Sequence, residues 1–165
     1  MRSSSRSVFV LLVLVVLAVL FATTGCAANT APPAENSSAS TSRTAAVEDI
    51  AEAVFRYQFD HNASALQKSA ETYCLSLPGE TMPSAELLRR FQGNHPPVAA
   101  ANQCERKGVK NLFFRVQKLD WHGDDEVWVR GGYWEGNLSS SVEMFRVVNQ
   151  NGKWIVKGAR MEAIS

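Results

Sequence analysis

The longest unbroken apolar run comes first: fifteen residues from Val8 to Ala22, preceded by Arg2 and Arg6 and followed by Thr23-Thr24-Gly25. A charged segment, a greasy segment and then small residues predict an export signal over residues 1–25. The run is short for ~30 Å of hydrocarbon, which takes roughly 20 apolar residues to cross. Residues 27–45 hold Ala, Ser, Thr, Asn and Pro, with Glu35 and Arg43 the only charges. With nothing to bury, residues 26–45 are expected to form a disordered tether.

Past Ala46 the pattern turns periodic. Val47, Ile50, Ala51, Val54 and Gln58 fall at helical spacing, Phe55 and Phe59 widen the stripe, and the spacing predicts a helix over 47–59. Glu48, Asp49 and Glu52 would then favour its first turns electrostatically. Asp60-His61-Asn62 reads as its stop, with a short helical turn through Leu66 beyond it. Thr72 to Leu77 alternates as a strand does, and Pro78-Gly79 breaks it. Ser84 can cap a short second helix that carries Leu87, Leu88 and Phe91 and closes at Gly93. His95-Pro96-Pro97 opens an irregular stretch. Four strand-like runs follow: Leu112–Trp121, Glu126–Glu135, Val142–Gln150 and Lys153–Glu162. His122-Gly123-Asp124-Asp125 and Asn137 to Ser140 turn the first two pairs, and Asn151-Gly152 signals a two-residue type I′ hairpin.

These turns predict a register. The Asn-Gly loop pairs Gln150 with Lys153 and Val147 with Val156. The first loop pairs Trp121 with Glu126 and Gln117 with Arg130. Pairing Val129 with Val147 keeps one apolar face continuous, which a slip by one residue would destroy. That face carries Leu112, Phe114, Val116, Val127, Val129, Tyr133, Phe145, Val147, Trp154 and Val156, and the helices should cover it. The other face places Gln117, Arg130, Arg146 and Lys157 in one row, with Arg115, Trp128, Trp134, Phe113 and Leu119 nearby. Like charges directly opposite each other are destabilising, so water and salt, a partner's acids or an anionic ligand should offset them. Arginine beside tryptophan also suits stacking. The face reads either as solvated or dimer-forming, or as an anion or glycan surface.

Composition narrows the function classes. Residues 46–165 suffice for one domain with a core. Arg2, Arg6, Arg43 and Glu35 lie outside that stretch, so the 17 basic and 16 acidic residues of the chain leave it near neutrality. Net charge therefore makes no case for nucleic acid. Cys74 and Cys104 are the two cysteines of this part, and in an oxidising compartment two are expected to pair. The bridge would close about thirty residues and contribute ~3 to 4 kcal/mol; a pair of buried thiols is the alternative. Three scattered histidines do not make a metal site. There is no phosphate-cradling glycine loop and no nucleophile elbow, so neither a cofactor nor a catalytic residue is assigned.

Gly25-Cys26 resembles the lipobox of bacterial lipoproteins, with Thr23 and Thr24 where that box usually has a large aliphatic residue and alanine. The resemblance implies cleavage before Cys26 and its acylation, which would hold the protein on a membrane, outside the cytoplasm, at the end of the tether. Cleavage near Ala27 would instead release a secreted protein, and an uncleaved leader would remain as an anchor.

The order of helix, strand, helix and antiparallel strands, ending in Met144-Phe145-Arg146-Val147-Val148 and Gly152-Lys153-Trp154-Ile155-Val156, resembles the nuclear transport factor two-like, or cystatin-like, α+β roll. The likeness covers about residues 46–165. It implies an N-terminal helix and a short second helix packed on a curved antiparallel sheet that ends in a four-strand meander, with dimerisation through the open sheet face common. Enzymes of that superfamily place an acid–base pair inside the cone between sheet and helices, where Asp60, His61, Tyr73 and Tyr133 are the candidates. His61 and Asp60 equally suit a helix end, and Tyr73 a core position. Fold does not choose function. Three readings follow: a non-catalytic tethered binding or assembly domain; a small-molecule enzyme or carrier that uses the cone; and an anionic-ligand or glycan binder on the Arg/Trp face.

Overall fold

A computed structural model of the chain describes residues 35–106, 110–136 and 138–165. The expected export signal, and Cys26 with it, lies outside them. Two helices, α1 (Glu35–His61) and α2 (Ala85–Arg89), pack on a six-stranded sheet: β1 (Thr72–Ser76), β2 (Val98–Ala100), β3 (Asn111–Trp121), β4 (Glu126–Gly136), β5 (Ser139–Gln150) and β6 (Lys153–Ile164). The spatial order is β2-β1-β3-β4-β5-β6. β1 runs parallel to both of its neighbours, and the remaining pairs are antiparallel. Among the described residues no helix is long and apolar enough to cross a membrane.

Helix α1 starts earlier than its apolar stripe. The stripe begins at Val47, yet helix runs from Glu35, so residues 35–45 are helical where a disordered tether was expected. Extending a helix already nucleated on a core adds one hydrogen bond per residue fixed. Arg43 also has partners in this extension, lying over the Trp121 ring at 5.2 Å and pairing with Asp124 at 3.4 Å. The earlier start puts Glu48, Asp49 and Glu52 in mid-helix rather than in a first turn. There they hold α2: Glu48 takes the backbone N–H and the hydroxyl of Ser84 at 2.9 and 2.7 Å, and Arg90 reaches Asp49 and Glu52 at 2.6 and 3.1 Å. Ser84 in turn accepts from Leu87 N–H at 3.0 Å and so caps α2 as expected. At the far end, Asn62 stops α1 by donating to the Gln58 carbonyl and accepting from Ser64 N–H.

The ten residues predicted for the core face are buried or half-buried on it. Ile50, Val54 and Phe55 of α1 pack against Leu112, Phe114, Val129 and Phe145 of the sheet. Phe59 joins Tyr73, Phe91 and Phe114 with ring centroids 4.6–5.6 Å apart. The last hairpin has the expected register, Gln150 with Lys153 and Val147 with Val156. The first does not: Trp121 lies opposite Val127, and a bulge at Gln117 places Lys118, not Gln117, opposite Arg130. Val147 pairs with Val127 rather than Val129. Between β4 and β5 this slip of two residues leaves the side chains on their predicted faces. Beyond the bulge in β3, Leu119, expected on the outer face, and Trp121 lie opposite Val129 and Val127 and pack against the core. Short β2 and its parallel pairing with β1 fall in a stretch read as irregular.

Candidate functional site

The helix-free face of the sheet carries Phe113 and Arg115 from β3, Trp128, Arg130 and Trp134 from β4, and Arg146 from β5. The like-charge row expected here is broken up by bulges at Gln117 and Lys157, and Arg146 lies opposite Trp128 and Gly158. Three of its arginines are matched within the chain. Arg146 grips Glu126 through two bonds, at 3.0 and 2.5 Å. Arg130 bonds Glu162 at 3.0 Å, and Arg160 approaches the same carboxylate at 3.8 Å. The Glu126 carboxyl is held below its ordinary range chiefly by the hydrogen bond from Arg146.

Two arginines differ. Among the described residues, neither Arg106 nor Arg115 has a carboxylate within ion-pair distance. They line a pocket of about 650 Å³, with Glu80, Phe113, Gln117 and Trp134 among its walls. The Arg106 guanidinium sits 5.6 Å from the Phe113 ring and 5.7 Å from the Trp134 ring. Those two rings meet edge to face at 5.4 Å. Nε of Arg115 and Oε1 of Gln117 are shielded from solvent and lack a hydrogen-bond partner. Buried polar groups are overwhelmingly paired, so two orphans in one pocket call for an explanation.

The fold builds this pocket from local features. Arg115 lies opposite Gly132, which has no side chain to fill the space beside it. A Cβ there would come within 2.1 Å of the Ser141 carbonyl oxygen, so β4 and β5 approach closely only because the residue is glycine. The Cys74–Cys104 disulfide ties β1 to the segment that delivers Arg106. At the rim, Glu80 has a left-handed backbone, φ 58°, directly after Gly79 at φ 68°. Such a conformation is uncommon for a residue with a side chain and costs roughly 1 kcal/mol or more.

The four residues proposed for the cone do not converge. Asp60 and His61 are exposed at the end of α1. His61 stacks on Tyr57 with centroids 4.3 Å apart, and its Nδ1 lies 3.0 Å from the Tyr57 carbonyl. Tyr73 is buried and donates its hydroxyl to the Gln67 carbonyl; burial first, and the charge of Asp60 second, push its pKa up. Tyr133 is buried in the core cluster. Sequence reading missed the polar groups that do enter the interior, Ser141 and Glu143, although they continue the inward alternation of Phe145 and Val147. Ser141 donates to Glu143 at 3.0 Å, and burial raises the Glu143 pKa. Gln58, already placed on the helix stripe, is buried with both side-chain polar atoms unpaired. Among the described residues no group of three or more His, Cys, Asp or Glu is placed to hold a metal ion.

No protein-family model, curated protein or solved structure matches the chain.

Proposed function

We propose that the chain is a membrane-tethered, extracytoplasmic binding domain, without catalysis, that takes an anionic ligand on the outer face of its sheet. One observation carries the reading: among the described residues the other arginines of that face each approach a carboxylate, while Arg106 and Arg115 share a pocket with an aromatic pair and lack one. A cation kept unpaired beside an orphaned acceptor is poised for a ligand rather than for stability. Asp60 and His61, which an acid–base role in a cystatin-like cone would require inside, stand outside it. Anchoring rests on the lipobox resemblance at Cys26.

The test uses the full chain in detergent micelles with its four tryptophans replaced by 5-fluorotryptophan. Acetate is expected to shift the fluorine resonance of Trp134 and leave that of Trp154 in place, and Arg115→Met is expected to remove the shift. Equal movement of all four resonances, or an unchanged response in Arg115→Met, would reject this reading.

A carrier role for the interior has one observation in its favour. Gln58 and Glu143 put an unpaired amide and a carboxyl of raised pKa on the helix-covered side.

A further inference from the structure

The pocket that holds Arg115 is more selective than an anion site. Its groups make three distinct demands. Arg115 offers Nε and the rest of a planar fork, the geometry that a carboxylate meets with two parallel hydrogen bonds. Gln117 Oε1 accepts only, so whatever satisfies it must bring an N–H or O–H donor. Phe113 and Trp134, with Arg106 stacked on them, give an apolar wall suited to a large side chain.

Glu80 adds a restriction. A carboxylate at the rim repels a ligand with several negative charges, which argues against phosphates in series, nucleic acid or an acidic polymer. It tolerates a single carboxylate held deeper, beside Arg115. Residues 115 and 117 are two apart on β3, at most about 7 Å along the strand and closer where the bulge at Gln117 bends it. Their side chains can close on groups separated by one tetrahedral carbon. A carboxylate and an N–H on the same carbon, with an apolar substituent, is the terminal unit of a peptide chain. A pocket of 650 Å³ accommodates such a unit.

From these demands the geometry points to recognition of a peptide C-terminus: its α-carboxylate on Arg115, its last amide N–H on Gln117 Oε1, and an aromatic or large apolar terminal side chain against Phe113 and Trp134. This deepens the proposed function and rests on the same pocket being the contact surface. No covalent step is involved, and the ligand leaves as it arrives. A free amino acid shares the carboxylate and the N–H donors, so the experiment separates the two sources.

Calorimetry on the full chain in detergent micelles would use N-acetyl-alanyl-phenylalanine, its C-terminal amide and free phenylalanine. The peptide acid is expected to bind saturably and the amide at least about tenfold more weakly, because one charge-assisted pair is lost. Arg115→Met is expected to weaken the acid by a similar factor. Arg146→Met, whose partner is Glu126, is expected to bind as the parent does. Tighter binding of free phenylalanine than of the peptide acid would overturn the peptide assignment. So would equal binding of acid and amide, a comparison made on the unaltered chain and so independent of whether Arg115→Met folds. If the peptide acid does not bind while acetate still moves the Trp134 resonance, the ligand class falls and the anion-binding pocket stands.

Discussion

Glu143 and Glu135 show how two carboxylates of one domain are driven in opposite directions. Burial is the main influence on Glu143 and raises its pKa, with the Ser141 hydroxyl only partly offsetting it. Burial also acts on Glu135, but Ser64, Ser139 and the backbone N–H groups of Leu66 and Ala65 together outweigh it, so its pKa is lowered. Folded Glu143 keeps its proton to a higher pH than unfolded Glu143, so it erodes stability as pH rises above the ordinary carboxylate range. Glu135 contributes stability that is present above that range and lost as pH falls through its lowered value. Glu143→Gln is therefore expected to raise stability at pH 8 by about 1 kcal/mol and to change little at pH 4. Glu135→Gln should destabilise at pH 8 and converge on the parent in acid. Urea unfolding at both pH values checks the two signs, and a Glu143→Gln variant less stable at pH 8 would contradict the burial argument.

At the scale of elements, α2 is too short to be stable alone and depends on its attachment to α1. Five residues give little more than one turn, and isolated helices of that length do not persist in water. Its cap is shared: Ser84 satisfies Leu87 N–H while Glu48 of α1 satisfies Ser84. Arg56 strengthens the same junction, lying over Phe91 at 4.8 Å and donating to the Arg90 carbonyl at 2.8 Å. Ser84→Ala is expected to cost about 1 kcal/mol. Glu48→Gln should cost less, since the amide retains an acceptor for Ser84 N–H. Thermal unfolding of both variants distinguishes this ordering from its reverse, which would place the stability in the ion rather than in the cap.

For the whole molecule, the disulfide, the paired outer-face charges and the N-terminal apolar run agree with one another. An oxidising compartment is where Cys74–Cys104 would persist, and the apolar run with Gly25-Cys26 is how the chain would reach it. Acylation at Cys26 would leave the outer-face pocket in extracytoplasmic space. Cys26→Ser is expected to move the protein from the membrane fraction to the soluble fraction after cell disruption. Retention of a variant whose leader has been cleaved would contradict the lipid anchor.

Local sequence carried much of this fold because its signals are short-ranged. Asn151-Gly152 set the last hairpin, the alternation of Leu112, Phe114 and Val116 set the buried face of β3, and Ser84 marked the start of α2. The start of α1 was not legible, since a segment of Ala, Ser and Thr has no apolar stripe of its own and its extension depends on contacts such as Arg43 with Trp121. Register in the first hairpin was hidden by the bulge at Gln117, which no periodicity announces. The candidate site was half visible: Arg115 and Trp134 stood out as cations and aromatics on one face. Which arginines would find acids was decided by strands far apart in the chain, Glu162 closing on Arg130 and Glu126 on Arg146. Sequence alone determined which side chains turn inward wherever no bulge interrupts the strand, because that depends on a two-residue period. Only the tertiary structure decided that Arg106 and Arg115 would be left without a carboxylate among the described residues, because ion pairing depends on distances that sequence spacing does not contain.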